Sequence, residues 1–138
     1  MGVGPVIVLD THAFVWWVAS PDRLPRKARA RLDRAAGDGE ALRVSSISAW
    51  EVAMLAARGR LELTMEVGAW LAAAEALPLL AFVPVDNAVA LRAVSLPETL
   101  PRDPADRIIA ATALGLGATL VTGDERLRGY RPLPVLWD

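Results

Sequence analysis

VIVLDTHAFVWW, residues 6–17, sets an aliphatic run, Val6 to Leu9, against a carboxylate, Asp10, and then resumes an apolar run from Ala13 to Val18. A short β-branched run without polar alternation is the pattern of a strand buried on both faces, as in a parallel sheet. His12–Ala19 reads as a short helix, broken by Ser20-Pro21-Asp22. Burying an unpartnered polar group costs about 2–7 kcal/mol. An acid between two segments that both seek burial therefore needs a use, and a strand end by itself supplies none.

The rest of the chain alternates in the same way. Helices are expected over Pro25–Ala36, Ser48–Arg58, Met65–Leu77, Asn87–Val94 and Pro104–Leu116. Strands are expected over Leu42–Ser46, Leu79–Val85, Ala118–Thr122 and Pro134–Trp137. Pro25–Ala36 is amphipathic, with Ala28, Leu32 and Ala35/Ala36 on one face and arginines on the other. Gly59 and Gly117 follow the ends of two helices, and Pro104 opens another. Strands alternating with helices predict an α/β fold: a parallel sheet of about five strands with helices on both faces. No linker or repeat divides residues 1–138, so one domain is expected. Ligands of such sheets bind outside the carboxyl ends of the strands.

Composition narrows the chemistry. Hydrophobic residues make up 54% of the 138, enough for a full core. There is no cysteine and His12 is the one histidine, which excludes disulfides, thiol catalysis and multi-histidine metal sites. The net charge of −1 gives no global signal for nucleic acid. Lys27 is the one lysine, and all other basic residues are arginine, whose planar fork suits phosphate. The opening MGVGPVIVLD lacks the basic segment of a signal peptide, and no uncharged stretch makes a convincing membrane span. A soluble cytoplasmic protein without membrane attachment is expected.

Four acids stand out by position. Asp10 ends the first strand, and Asp124 follows the fourth in LVTGDERL. Glu51 lies early in a helix, in SSISAWEV, and Asp106 early in another, in RDPADRIIAATA. Structural readings compete. Ser48 and Glu51 have the spacing of a capping box. Asp103-Pro104-Ala105-Asp106 looks like an ordinary helix start, with Asp103 as the cap. Asp124 also suits a turn after Gly123. Gathered at one sheet edge, however, these carboxylates would repel, and a hard divalent cation relieves that repulsion. Oxygen-only ligands suit Mg²⁺ or Mn²⁺, and a metal so held can activate water and stabilise charge on phosphate.

LDTHAFVWW, SSISAWEVAML, RDPADRIIAATA and LVTGDERL, in this order, resemble the motifs of PIN-domain ribonucleases, and among these the VapC-type toxins of prokaryotic toxin–antitoxin pairs. The likeness runs from Val6 to about Trp137. It implies a Mg²⁺- or Mn²⁺-dependent endoribonuclease that leaves a 5′-phosphate and a 3′-hydroxyl, with RNA as substrate and a cognate antitoxin protein that covers the site. The family's acids fall on Asp10, Glu51, Asp106 and Asp124. Asp10, Asp106 and Asp124 would hold the metal, directly or through water, and Glu51 would orient or deprotonate the attacking water. Asp103, one turn from Asp106, can share or replace its role.

Around the acids, Thr11 and Thr122 can hydrogen-bond them or simply suit strands, Ser45 and Ser46 suit turn chemistry more than phosphate contact, and Arg102 and Arg107 beside the third acid can bind RNA phosphate or serve as solvated surface arginines. Trp16 and Trp17 are adjacent and cannot both face inward from one side of a helix. One of them is expected at an interface, either a homodimer or an antitoxin groove. Two other enzyme and signalling families fit poorly. A haloacid-dehalogenase-type phosphatase needs an aspartate where His12 stands, and a response-regulator receiver needs a late lysine that is absent. The alternative from another class is a non-catalytic protein- or RNA-binding module on the same fold, with the acids serving as caps.

Overall fold

In a computed structural model that describes residues 6–138, the chain forms five parallel strands and seven α-helices. Residues 1–5, on which the leader reading partly rests, lie outside the described residues. The strands are β1 (Ile7–Leu9), β2 (Leu42–Ser45), β3 (Leu80–Val83), β4 (Thr119–Val121) and β5 (Val135–Leu136). The helices are α1 (Thr11–Ala19), α2 (Arg26–Gly37), α3 (Ile47–Ala57), α4 (Val67–Glu75), α5 (Asn87–Ser95), α6 (Pro104–Gly115) and α7 (Glu125–Arg128). Among the described residues no helix is long and apolar enough to cross a membrane.

The sheet order is β3-β2-β1-β4-β5. The chain builds outward from β1 through β2 to β3, then returns to the other side of β1 for β4 and β5. The direction reverses between β1 and β4, which are held in register by Ile7–Thr119 and Leu9–Val121 pairs. At this reversal the connections leave in opposite directions and open a crevice at the carboxyl ends.

Side chains alternate across the sheet, and both faces are covered. Ile7 and Leu9 join Leu42, Val44 and Val121 under α1, α2 and α4, with Phe14 fully buried among them. Val8 and Leu120 point to the other face, against Ile109, Ala111 and Ala113 of α6 and Ala93 of α5. Each fully buried Val, Leu or Ile contributes about 1.5–3 kcal/mol relative to exposure, so the apolar run of β1 is the keel of two cores. α2 buries Ala28, Leu32 and Ala35 as its spacing predicts. Gly117, at φ +61°, turns the end of α6 into β4, a conformation L side chains rarely adopt.

Several details differ from expectation. α4 is shorter than Met65–Leu77 because the Glu66 carboxylate closes its start on the Gly68 and Ala69 amides. Residues Pro21–Arg23 form a single 3₁₀ turn. α7 was not anticipated, being one turn long and too short to show a period.

Candidate active site

Asp10 leaves the end of β1 in an extended conformation, and its Oδ1 accepts the Ala13 N–H at 2.8 Å. It is therefore the N-cap of α1, which corrects the expectation that a strand end gives an acid no structural use. The helix starts at Thr11, one residue earlier than the sequence suggests, and this turns Asp10 into its cap. Burial still pushes its carboxyl above the ordinary range, against the lowering effect of hydrogen bonds from the Thr122 hydroxyl and the Ala13 amide.

Glu51 does not close a capping box. Ser48 sits inside α3, fully buried, and its hydroxyl lies 2.9 Å from Thr11 Oγ1. The Thr11 hydroxyl in turn donates to Glu51 Oε1. With Thr11 donating to the carboxylate, Ser48 donates to Thr11, and a hydroxyl relay from α3 to α1 and back holds Glu51. Burial raises the Glu51 carboxyl, and the Thr11 bond lowers it only in part. Thr11→Val keeps the shape of this buried side chain but strips both partners. We expect a loss of about 1–2 kcal/mol in denaturant melts, and a fall in any Glu51-dependent activity that Thr11→Ser restores.

Asp103 caps α6, accepting the Ala105 N–H at 2.8 Å, with Pro104 at the first helical position. This places Asp106 in the first turn, as expected. Asp106 is pushed up to about 7, first by burial and then by Asp103, Glu51, Asp124 and Asp10. Asp124 caps α7 through the Arg126 amide at 3.0 Å, and its own N–H donates to Thr122 Oγ1 at 3.1 Å. The Arg126 guanidinium grips both Asp124 oxygens, Nε to Oδ1 at 3.1 Å and Nη2 to Oδ2 at 3.0 Å, and stands 4.0 Å from Asp106. Burial would raise Asp124, but the bonds and charge of Arg126 outweigh it and hold the carboxyl below its usual value.

The acids thus form two overlapping groups. Glu51, Asp103 and Asp106 each offer an oxygen within 4.8 Å of the others. Asp10, Asp106 and Asp124 line a cleft of about 410 Å³ together with His12, Trp16 and Trp137. Asp106 belongs to both. A donor set of carboxylate oxygens alone, with Asp10, Glu51 and Asp106 held toward protonation by crowding and burial, fits a hard divalent cation.

Other expectations change. Arg107 does not face solvent for RNA: its guanidinium donates to the carbonyls of Ala93, Leu96, Pro97 and Pro101 and clamps the loop between α5 and α6. Ser45 Oγ accepts the Ile47 N–H at 3.2 Å, which is turn chemistry. Trp16 and Trp17 are both half-buried against the core, and the exposed tryptophan is Trp50, at 57%. Two residues have no sequence signal for the site: Arg126, which pairs with Asp124 and Asp106, and Trp137, which lines the cleft. Trp137 packs so closely on Gly123 that a Cβ there would lie 2.9 Å from the indole.

Comparison with known proteins identifies the family of this fold. The PIN domain family profile matches residues 7–131. Ribonuclease VapC22 of Mycobacterium tuberculosis (strain ATCC 25618 / H37Rv) is 42% identical over 131 residues, covering 94% of this chain and 95% of that protein. Among solved structures, VapBC2 from Rickettsia felis bound to a DNA fragment from its promoter superposes with a TM-score of 0.70 at 19% identity, covering 96% of this chain and 99% of that one. FitAcB from Neisseria gonorrhoeae gives 0.67 at 22% identity, covering 95% and 96%. At these identities the two structures show the shared fold. With acids gathered at the β1–β4 reversal, a family match across nearly all of the chain and a relative of near-equal length, this chain belongs to the PIN-domain family.

Proposed function

We propose that this protein is a metal-dependent endoribonuclease, the toxin of a toxin–antitoxin pair, acting as one unit over residues 1–138. The observation that carries this reading is the convergence of carboxylates from β1, α3, α6 and the β4–α7 turn on one crevice at the sheet's carboxyl edge. The 42% identity to a protein named a ribonuclease supports it.

Asp10, Asp106 and Asp124 are the residues that would hold Mg²⁺ or Mn²⁺, with Asp103 beside Asp106 as a further donor. When bound, the ion supplies Lewis-acid stabilisation of charge on the phosphodiester and lowers the pKa of water. The chain's own residues do the rest. Glu51, fixed by Thr11 and held above the usual carboxylate range, is placed to take a proton from the attacking water. Asp10 and Asp103, as caps, fix the helix starts that carry their neighbours. Arg126 balances the charge of Asp124 and Asp106.

The test is incubation of the purified chain with single-stranded and structured RNAs, with Mg²⁺ or Mn²⁺ and with excess chelator. We expect cuts in single-stranded or loop RNA with metal, 5′-phosphate ends, and none with chelator. Metal-independent cutting by a preparation free of other nucleases overturns the proposal. A chain that binds partners but neither cuts RNA nor gains stability from Mg²⁺ is the non-catalytic module instead.

The partners follow the same reading. A depression lined by Ile47, Trp50, Met54 and Arg58 runs to Glu51 and Asp103, and suits an antitoxin with an apolar body and a cationic end. This moves the proposed groove from Trp16 and Trp17 to Trp50. Hydrogen exchange over residues 47–58 should slow when that partner binds, and unchanged exchange there counts against the groove. A homodimer would use α5, whose Leu91 and Val94 are 71% and 82% exposed. Leu91→Glu should then sediment as a monomer beside a dimeric wild type.

A further inference from the structure

The chain is slightly acidic overall, yet six of its fifteen basic residues fall between Arg23 and Arg34. Structure separates them into two sets. Arg29 is paired with Asp22 at 3.0 Å and lies 3.8 Å from Asp33, and Arg31 is 3.4 Å from Glu40. Arg23, Arg26, Lys27 and Arg34 are exposed, and none of the four forms an ion pair among the described residues.

Three of the exposed set, Arg23, Arg26 and Lys27, belong to the segment that is tied to the cleft wall. The Ala28 N–H, a free donor in the first turn of α2, donates to the Trp137 carbonyl at 3.1 Å. The bond ties the first turn of α2, which carries Arg26 and Lys27, to the backbone of the tryptophan that walls the acids, and Lys27 lines a depression with neighbouring Leu136. The Arg23 guanidinium lies over Trp16, 4.7 Å from the ring centroid. Trp16 and Trp137 are neighbours at 5.9 Å, and both line the cleft with Asp10, Asp106 and Asp124. Acids and aromatic wall thus share one cleft, Arg23 lies on that wall, and the start of α2 is tied to it through Trp137.

From this juxtaposition we propose that single-stranded RNA held at the acids continues across the Trp16–Trp137 wall onto the basic edge of Arg23, Arg26 and Lys27. This rests on the nuclease reading and adds the strand's path to it. The chemistry matches each part of a single strand. Exposed bases stack on aromatic walls regardless of sequence, while cations follow the phosphates. A duplex presents no free base faces to the tryptophans. The site proper is acidic and cannot attract a polyanion without metal, so a basic approach surface close by supplies what the acids lack.

The experiment uses the full chain carrying Asp10→Asn, so that RNA is bound without being cut, and a fluorescently labelled single-stranded RNA of twenty nucleotides. Adding Arg26→Glu and Lys27→Glu should weaken binding at least ~10-fold near 0.1 M salt. It should also flatten the slope of log affinity against log salt by about 1.4, given roughly 0.7 per phosphate contact on single strands. Trp137→Leu should weaken binding with the slope unchanged, and Trp137→Phe should restore it, because stacking releases no counterions. Arg92→Glu on α5, across the sheet, is set beside the single reversal Lys27→Glu, which changes charge by the same amount, and should alter affinity less than ~2-fold.

Equal effects of the α2 and Arg92 reversals, or none from either, overturn the path. That failure leaves metal-dependent cutting by the wild type intact. Failure of the nuclease reading instead abolishes cutting by the unmutated chain, so the two outcomes separate.

Discussion

Asp10→Asn should lower RNA cleavage at least ~100-fold while leaving a chain that is as stable without metal as the wild type, or more so. Loss of a group that merely supports a metal ligand typically costs 10–100-fold, so loss of a ligand sets that as a floor. The stability side follows from the cap. Asparagine and aspartate cap helices about equally well, so the bond to the Ala13 amide survives the exchange. What disappears is a charge that burial and neighbouring Asp124 disfavour. Relieving an acid kept for function typically gains about 0.5–2 kcal/mol. Saturating Mg²⁺ should reverse the order: a ligand that binds only the folded state adds about 2.7 kcal/mol at a hundredfold excess over its dissociation constant, and the mutant should gain far less. Melting curves of the two proteins should converge or cross as Mg²⁺ is titrated. Asp10→Ala separates the two roles, since it loses the cap as well and should melt lower by about 0.5–2 kcal/mol in the absence of metal. Parallel Mg²⁺ shifts in wild type and Asp10→Asn would remove Asp10 from the metal site.

The second large effect is on pH dependence. Asp106 titrates near 7 in the folded chain against 3.8 for the free side chain. Between those values the folded protein holds a proton that the unfolded chain has released, so stability falls as pH rises through the window. The contribution is whole below about 4 and gone above about 7. Asp10 and Glu51 are displaced in the same direction and add to the slope. Asp124 is displaced the other way, and its share is lost only below its ordinary value of 3.8, outside the window. In chelator, the melting temperature of the wild type should therefore drop from pH 5 to 7.5 relative to Asp106→Asn. With Mg²⁺ the wild type should gain most at the high end, where the acids are ionised and free of competing protons. Thermal melts at several pH values, with and without Mg²⁺, read both effects. A constant difference between wild type and Asp106→Asn across the range would show that Asp106 does not titrate there.

Much of this was written in the sequence. Continuous aliphatic runs such as Val6–Leu9 mark strands buried on both faces, and Pro104 and Gly117 bracket α6 because helix ends make strong local demands. The acids were legible for a related reason: charge at the carboxyl end of a buried strand stands out. What local pattern could not place was decided by a shift of one or two residues. α3 opens at Ile47 after Ser46, so Ser48 turns inward to Thr11 and the spacing of a capping box misleads. α1 opens at Thr11, so Asp10 acquires a cap role that no composition reveals. Arg126 and Trp137 carry no sequence signal for the site because they reach the acids through a one-turn helix and the end of a two-residue strand. Arg107 looked like surface until the α5–α6 loop closed around it.

The doubling of acid and cap has an evolutionary consequence. At Asp10, Asp103 and Asp124 a change to asparagine needs one nucleotide transition in either aspartate codon, and it preserves a helix start while removing a charge. A lineage under pressure to silence this activity therefore has a route that crosses no folding barrier. At Asp10 or Asp124 the product would be an inert chain with its partner-binding surface whole. Such a copy would still sequester the inhibitor of an active sibling, so its loss of chemistry would not make it neutral in the cell. Reversion is equally short. Inactive forms with asparagine at these caps should thus arise more readily than forms with alanine, and should be able to return.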